Sequence, residues 1–161
     1  MHKKIFIALL VLIGLAGCKA QTALKYSQGL VKRGRSIVPE MTTTEEKVKT
    51  FFGNKQYDSI AVVAIKMEKM VDEKLQEIND EPAPDVTGAP VFKDAFIKYF
   101  KFIKSLYTGY KEFGKAANAE EREKALVKVS TFVDHKEAAL KDIQDAQQKF
   151  ASDNGFKLEE K

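Results

Sequence analysis

Cys18 and His135 are the side chains of this 161-residue chain with the strongest claim to chemistry; Cys18 is the only cysteine and His2 the only other histidine. A nucleophile needs a base within hydrogen-bond reach and a third group to orient that base. His135 stands in Asp134-His135-Lys136-Glu137, with no nucleophile at a telling spacing. On a helix, Asp134 points about 100° away from it. His135 therefore reads as a solvent-facing or boundary residue. The Glu-x-x-His pattern of carboxylate-bridged di-iron bundles is absent, as are zinc signatures. Asn79-Asp80-Glu81 with Asp85 offers oxygens to calcium, but the glycine and closing glutamate of an EF-hand loop are missing. Glu120-Glu121 is explained by the preference for acids in the first turn of a helix. No glycine-rich phosphate loop is present. The expectation is a protein that is not an enzyme, with no metal and no cofactor.

Cys18 has a more informative setting. Met1-His2-Lys3-Lys4 supplies positive charge, Ile5 to Ile13 is almost wholly apolar, and Leu15-Ala16-Gly17 places small residues before the cysteine. That order is a secretory signal. Its apolar run falls well short of the roughly 20 residues that cross a bilayer. A lone thiol cannot form an internal disulfide, and a free exposed one is out of place in an oxidising compartment. An ordinary soluble secretory signal with a chance free cysteine is the alternative. Leu15-Ala16-Gly17-Cys18 resembles a bacterial lipobox, which makes residues 1–17 a cleaved lipoprotein signal peptide. By that resemblance the Cys18 sulfur carries diacylglycerol through a thioether, and its new amino group is acylated by a chain such as palmitate. Two or more chains anchor stably, because each buried methylene contributes about 0.8 kcal/mol. Lys19 is not the Asp that, in some Gram-negative bacteria, retains lipoproteins at the inner membrane. The resemblance therefore implies a cell outer membrane lipoprotein, with its face, periplasmic or surface, left open.

Cleavage removes Lys3 and Lys4 and no acid, so 27 basic side chains become 25 against 23 acidic ones. Lys19, Lys25, Lys32, Arg33 and Arg35 precede the first acid, Glu40, and leave a slightly acidic remainder. With Ser27, Gly29, Gly34 and Ser36 among them, residues 18–42 read as a lipidated cysteine followed by a flexible basic tether. Such a segment is either drawn to anionic headgroups or is a solvated spacer.

The elements that follow are helical. Thr43-Thr44-Glu45-Glu46 reads as a capping box. From there Val48, Phe52, Ile60, Val63, Met67, Met70, Val71, Leu75 and Ile78 recur at helical spacing to Asp80, with Gly53-Asn54 as a kink or break. The prolines of residues 81–90 end that helix. A second helix, Val91 to about Ala117, carries eight of the chain's 16 aromatic residues. With Ile103 and Leu106 these fill a stripe roughly 160° wide, enough to touch two neighbours. Lys93, Lys104, Lys111 and Lys115 form a ridge beside it, with Lys101 slightly further round. A third helix opens at the cap Asn118-x-x-Glu121 and stops at Asn154-Gly155-Phe156. The fold expected over residues 43–158 is all-α, an up-down antiparallel bundle of three long helices, or four if the first breaks near Gly53.

The aromatic stripe reads first as core. A sharper reading makes it an apolar-ligand or partner surface drawn from Met67, Met70, Phe96, Phe100, Phe102, Tyr107 and Phe113, with Phe102 and Phe113 the most exposed. Lysines beside aromatics also raise nucleic acid, but the domain is net acidic and exported, so no nucleic-acid partner is expected. The long helices and the ending Ala146-Gln147-Gln148-Lys149-Phe150-Ala151-Ser152-Asp153-Asn154-Gly155-Phe156-Lys157-Leu158 resemble small helical surface lipoproteins of Gram-negative bacteria. That resemblance transfers no catalytic residue. The leading reading is a lipid-anchored, non-enzymatic envelope lipoprotein whose bundle binds an envelope or extracellular protein, a polymer or a host molecule. The second is a carrier of a lipid or other apolar ligand within the bundle.

Overall fold

The computed structural model describes residues 17–158; residues 1–16, which include Leu15 and Ala16 of the lipobox, and residues 159–161 lie outside the described part. Five helices follow in order: α1 (Cys18–Ser36), α2 (Val38–Gly53), α3 (Tyr57–Asp80), α4 (Ala89–Lys115) and α5 (Ala119–Asp153). The first two are joined and bent, so the architecture is a four-helix all-α bundle.

The stretch expected as a flexible tether is instead a core helix. Ala20, Ala23, Tyr26, Ser27, Leu30, Val31 and Gly34 are buried, while Lys19, Lys25, Lys32 and Arg35 are exposed and Arg33 pairs with Glu81 of the α3–α4 connection at 2.6 Å. Serine and glycine here are small residues that let α1 approach its neighbours; a Cβ on Gly34 would lie 3.7 Å from the Phe96 ring. The expected capping box is also absent. Thr43 lies inside α2, with its hydroxyl donating to the Pro39 carbonyl at 3.0 Å. The break comes earlier, at Pro39, which stands in the first turn of α2. Proline has no N–H for the Arg35 carbonyl, and its ring crowds that group. Ile37, only 1 % exposed, holds the bend against the core.

The break between α2 and α3 falls near Gly53, but a lysine makes the turn. Lys55 takes a positive φ of 57°. Gln56 N–H donates to Phe51 O at 2.8 Å and Lys55 N–H to Phe52 O at 3.1 Å. This is a Schellman closure with a non-glycine residue in the left-handed position. The Asn118 cap forms as expected: its Oδ1 accepts from Glu121 N–H at 2.9 Å, and Glu121 reaches back to Ala117 N–H at 2.8 Å. At the far end of α5, Gly155 has φ 70° and Phe156 N–H donates to Ala151 O at 3.1 Å. That turn folds Phe156 onto Phe150, with ring centroids 6.0 Å apart.

Contacts between helices fix the directions. Glu68 meets Thr108 and Lys111, Asp72 meets Lys104, and Lys93 caps the Asn79 and Glu81 carbonyls, so α3 and α4 are antiparallel. Glu112–Lys128, Phe102–Phe132 and Phe92–Phe150 show the same for α4 and α5. Tyr26 packs on Phe92 and Phe150, which brings α1 into the same core as both. The stripe on α4 therefore touches three helices rather than two. The lysine ridge is spent largely on α3.

At the other end Phe113, Val48, Ile60 and Ala125 form a second apolar cluster. There α3 and α4 touch closely: a Cβ on Gly114 would lie 2.5 Å from Ala61 N and 2.6 Å from Tyr57 O. Gly114→Ala gains under about 1 kcal/mol of helix propensity but drives a methyl into backbone. Urea denaturation is expected to show a net loss of about 2 kcal/mol. Leu30→Ala, at a fully buried site, is expected to cost about 2–5 kcal/mol by the same measurement; a mere tether would show no change.

Two glutamates respond to pH in opposite senses. Burial alone would raise the Glu68 carboxyl, but the Lys111 ammonium and Thr108 hydroxyl outweigh it and hold the group below its usual range. Its stabilising effect is present above the ordinary carboxylate value and is lost as pH falls through the depressed one. Burial lifts the Glu45 carboxyl despite Lys136. Its effect is favourable at acid pH and is lost as pH rises through the raised value. At pH 7, Glu68→Gln is expected to lower Tm and Glu45→Gln to raise it. The Glu45→Gln difference should vanish below about pH 4.

Candidate functional site: the anchor end and the α4–α5 groove

Cys18 is the first residue of α1, exposed and unpaired. It sits in an open hollow of ≈ 720 Å³ with Asp85, Val86 and Thr87 of the α3–α4 connection and Asp153 and Asn154 from the end of α5. Asn154 Nδ2 donates to Thr87 O at 2.8 Å, which ties those two segments together. Lys19 lies 3.8 Å from Asp85, with both side chains almost fully exposed. That pair adds little to stability. Ala20, two residues past Cys18, is already buried. No slack separates the thiol from the packed domain.

The seven apolar candidates divide. Met67, Phe96, Phe100 and Tyr107 are at most 2 % exposed and belong to the main core, with Met70 partly buried against it. Tyr107 keeps a buried hydroxyl without a hydrogen-bond partner, and burial raises its phenol well above the usual range. Phe113 is not exposed as expected. It is 3 % exposed, stacked on Phe52 at 5.5 Å and met edge-on by Tyr57 at 5.4 Å. The end of α2 and the first residue of α3 supply the two covering rings.

Phe102, by contrast, lines a surface depression. Its ring stacks on Phe132 of α5 at 4.3 Å, with the planes 17° apart. The pair floors an open groove of ≈ 720 Å³ between α4 and α5. Two features shape it. The helices come together where a Cβ on Gly109 would lie 3.0 Å from Val129 Cγ2. Beyond that contact Ser105, Thr108 and Thr131 are short, while Lys101, Lys104 and Lys128 stand around them. His135 completes the lining.

The polar groups of the groove are unequal. Each hydroxyl already donates: Ser105 to Phe102 O at 2.6 Å, Thr131 to Val127 O at 2.9 Å, Thr108 to Glu68 at 2.6 Å. His135 Nδ1 lies 2.8 Å from Thr131 O, a carbonyl that can only accept, so Nδ1 is the donor there. Lys104 and Lys128 pair with Asp72 and Glu112 at 2.7 and 2.6 Å, outside the groove lining. Lys101 is exposed, with no ion-pair partner among the described residues. No carboxylate lines the groove.

Among the described residues no acid is hydrogen-bonded to His135, and the nearby hydroxyls are engaged with main-chain or glutamate oxygens. The arrangement can hold a ligand; it contains no assembled nucleophile and base. Sequence reading passed over Phe132, Ser105, Thr131 and Lys128, because a groove between two helices comes from their relative register. The 3.6-residue period does flag Phe132 as core-facing, but not as stacked on Phe102.

Among the described residues, no group of three or more His, Cys, Asp or Glu side chains is placed to hold a metal ion, and no helix is long and apolar enough to cross a membrane. Against known proteins, no family model, no curated protein and no solved structure matches this chain.

Proposed function

We propose that the chain is an outer-membrane lipoprotein, anchored by acyl groups on Cys18, and that its helical domain is a non-enzymatic binding module using the α4–α5 groove. The reading is carried by one sequence observation, a basic start, an apolar run and Leu15-Ala16-Gly17 ending at the single cysteine. Two structural facts support it. Cys18 is exposed at the start of α1, where an enzyme could reach its sulfur and amino group. The groove offers an apolar floor with a cationic rim, which suits recognition rather than turnover. The partner is a protein, polymer or host molecule. The core residues Met67, Phe96, Phe100 and Tyr107 pack among themselves and supply stability.

Cys18→Ala is expected to abolish acylation and give an uncleaved or mislocalised product. Intact mass and membrane fractionation test this together. A wild-type protein without acyl mass, or a variant with unchanged mass and location, overturns the anchor.

A further inference from the structure

We infer that the α4–α5 groove binds a small, water-dispersed anionic molecule with a flat apolar body, its carboxylate, sulfonate or phosphate held by Lys101. The inference rests on reading the domain as a binding module and does not depend on the lipid anchor.

Phe102 and Phe132 supply the apolar side: their rings stack on each other, so the facing surfaces are covered and a flat aromatic body packs against the ring edges left to the groove. The groove is stopped at one end by the Gly109–Val129 contact. One flat body fits that shape better than the row of anchors presented by a docked helix. Its volume of ≈ 720 Å³ lies within the roughly 300–1,000 Å³ of small-molecule sites.

The polar half is a mismatch of supply. Ser105, Thr108 and Thr131 have committed their protons, so the donors left are cationic. Lys104 and Lys128 each keep N–H groups beyond their single carboxylate partner. Those pairs are partly exposed, and such pairs are weak. Lys101 has no ion-pair partner among the described residues and lines the same groove. A ligand that brings only acceptors, and negative charge, satisfies this set. A neutral apolar ligand leaves the cations unused, and a cationic one is repelled.

Every buried side chain described lies between Ala20 and Phe156, so residues 18–161 carrying Cys18→Ser hold the whole core without an acyl group to compete. Two fluorescent probes share one ring system and differ in charge: anilinonaphthalene sulfonate is anionic, N-phenylnaphthylamine neutral. One sulfonate probe per chain is expected, bound about tenfold tighter than the neutral one at low salt. The difference should shrink as salt rises. Lys101 and Ser105 are both exposed on α4, so changing them leaves the core intact. Lys101→Glu is expected to remove the preference and leave the neutral probe unaffected. Ser105→Trp is expected to weaken both probes by blocking the floor.

Equal binding of the two probes, or sulfonate binding indifferent to both variants, overturns the inference. So does anionic-vesicle binding that requires Lys101 without any probe binding, which points to a lipid surface instead. Photo-crosslinking from position 101 in intact cells reads the broader proposal separately: a protein captured there, with no probe bound, sinks the ligand class and keeps the binding module.

Discussion

One helix cannot bury a stripe roughly 160° wide against a single partner, and α4 carries such a stripe. Phe92, Phe96, Phe100, Ile103 and Tyr107 are each at most 2 % exposed, a degree of burial that takes neighbours on several sides. With α3 on one flank and α5 on the other, the remaining opening is closed by α1 through Tyr26, Leu30 and Gly34. Small residues set the distances. Gly114 lets α3 come close, Gly109 does the same for α5, and Gly34 admits a ring edge from Phe96. Backbone meets backbone most closely at Gly114, while Gly109 faces the Val129 side chain and Gly34 is in ordinary contact with the Phe96 ring.

This dependence changes the meaning of the N-terminal segment. A flexible tether would let the domain turn freely above a membrane. A helix that starts at Cys18 and is buried from Ala20 gives no such freedom. The proposed lipid anchor and the core then share one rigid element. The hollow formed by Thr87, Asp153 and Asn154 lies beside the Cys18 sulfur. The groove floor, on α4 and α5, is several helical turns along the bundle from Phe92 and Phe150, which pack on α1. The proposed attachment point and the proposed binding groove are thereby separated along the axis of the domain.

Charge is divided in a similar way. On the α3 flank, Lys93 satisfies carbonyls at a helix end, and Lys104 and Lys111 meet carboxylates. Those lysines complete the fold. Lys101, a small rotation away on the same helix, meets no acid among the described residues and lines the groove with Phe102 and Phe132. The two roles differ only in which neighbouring helix each side chain faces.

Much of the architecture was legible from local rules. Apolar period, the prolines of residues 81–90, the Asn118–Glu121 cap and the Asn154-Gly155-Phe156 stop each act within a turn or two of chain, so α4, α5 and most of α3 could be drawn in advance. Positive charge, serine and glycine hid α1, because the same residues that loosen an isolated segment allow close packing once a partner is present. Thr43-Thr44-Glu45-Glu46 has the letters of a cap, yet Pro39 had already begun the helix. Phe113 was misjudged because Phe52 and Tyr57 cover it from the far side of a turn made by Lys55. The sequence by itself determined helix, turn and the setting of Cys18, all matters of near neighbours. Only the tertiary structure decided which glycines are contacts, which lysines of α4 meet carboxylates and which two rings stack at the groove, because these depend on the register between helices distant in the chain.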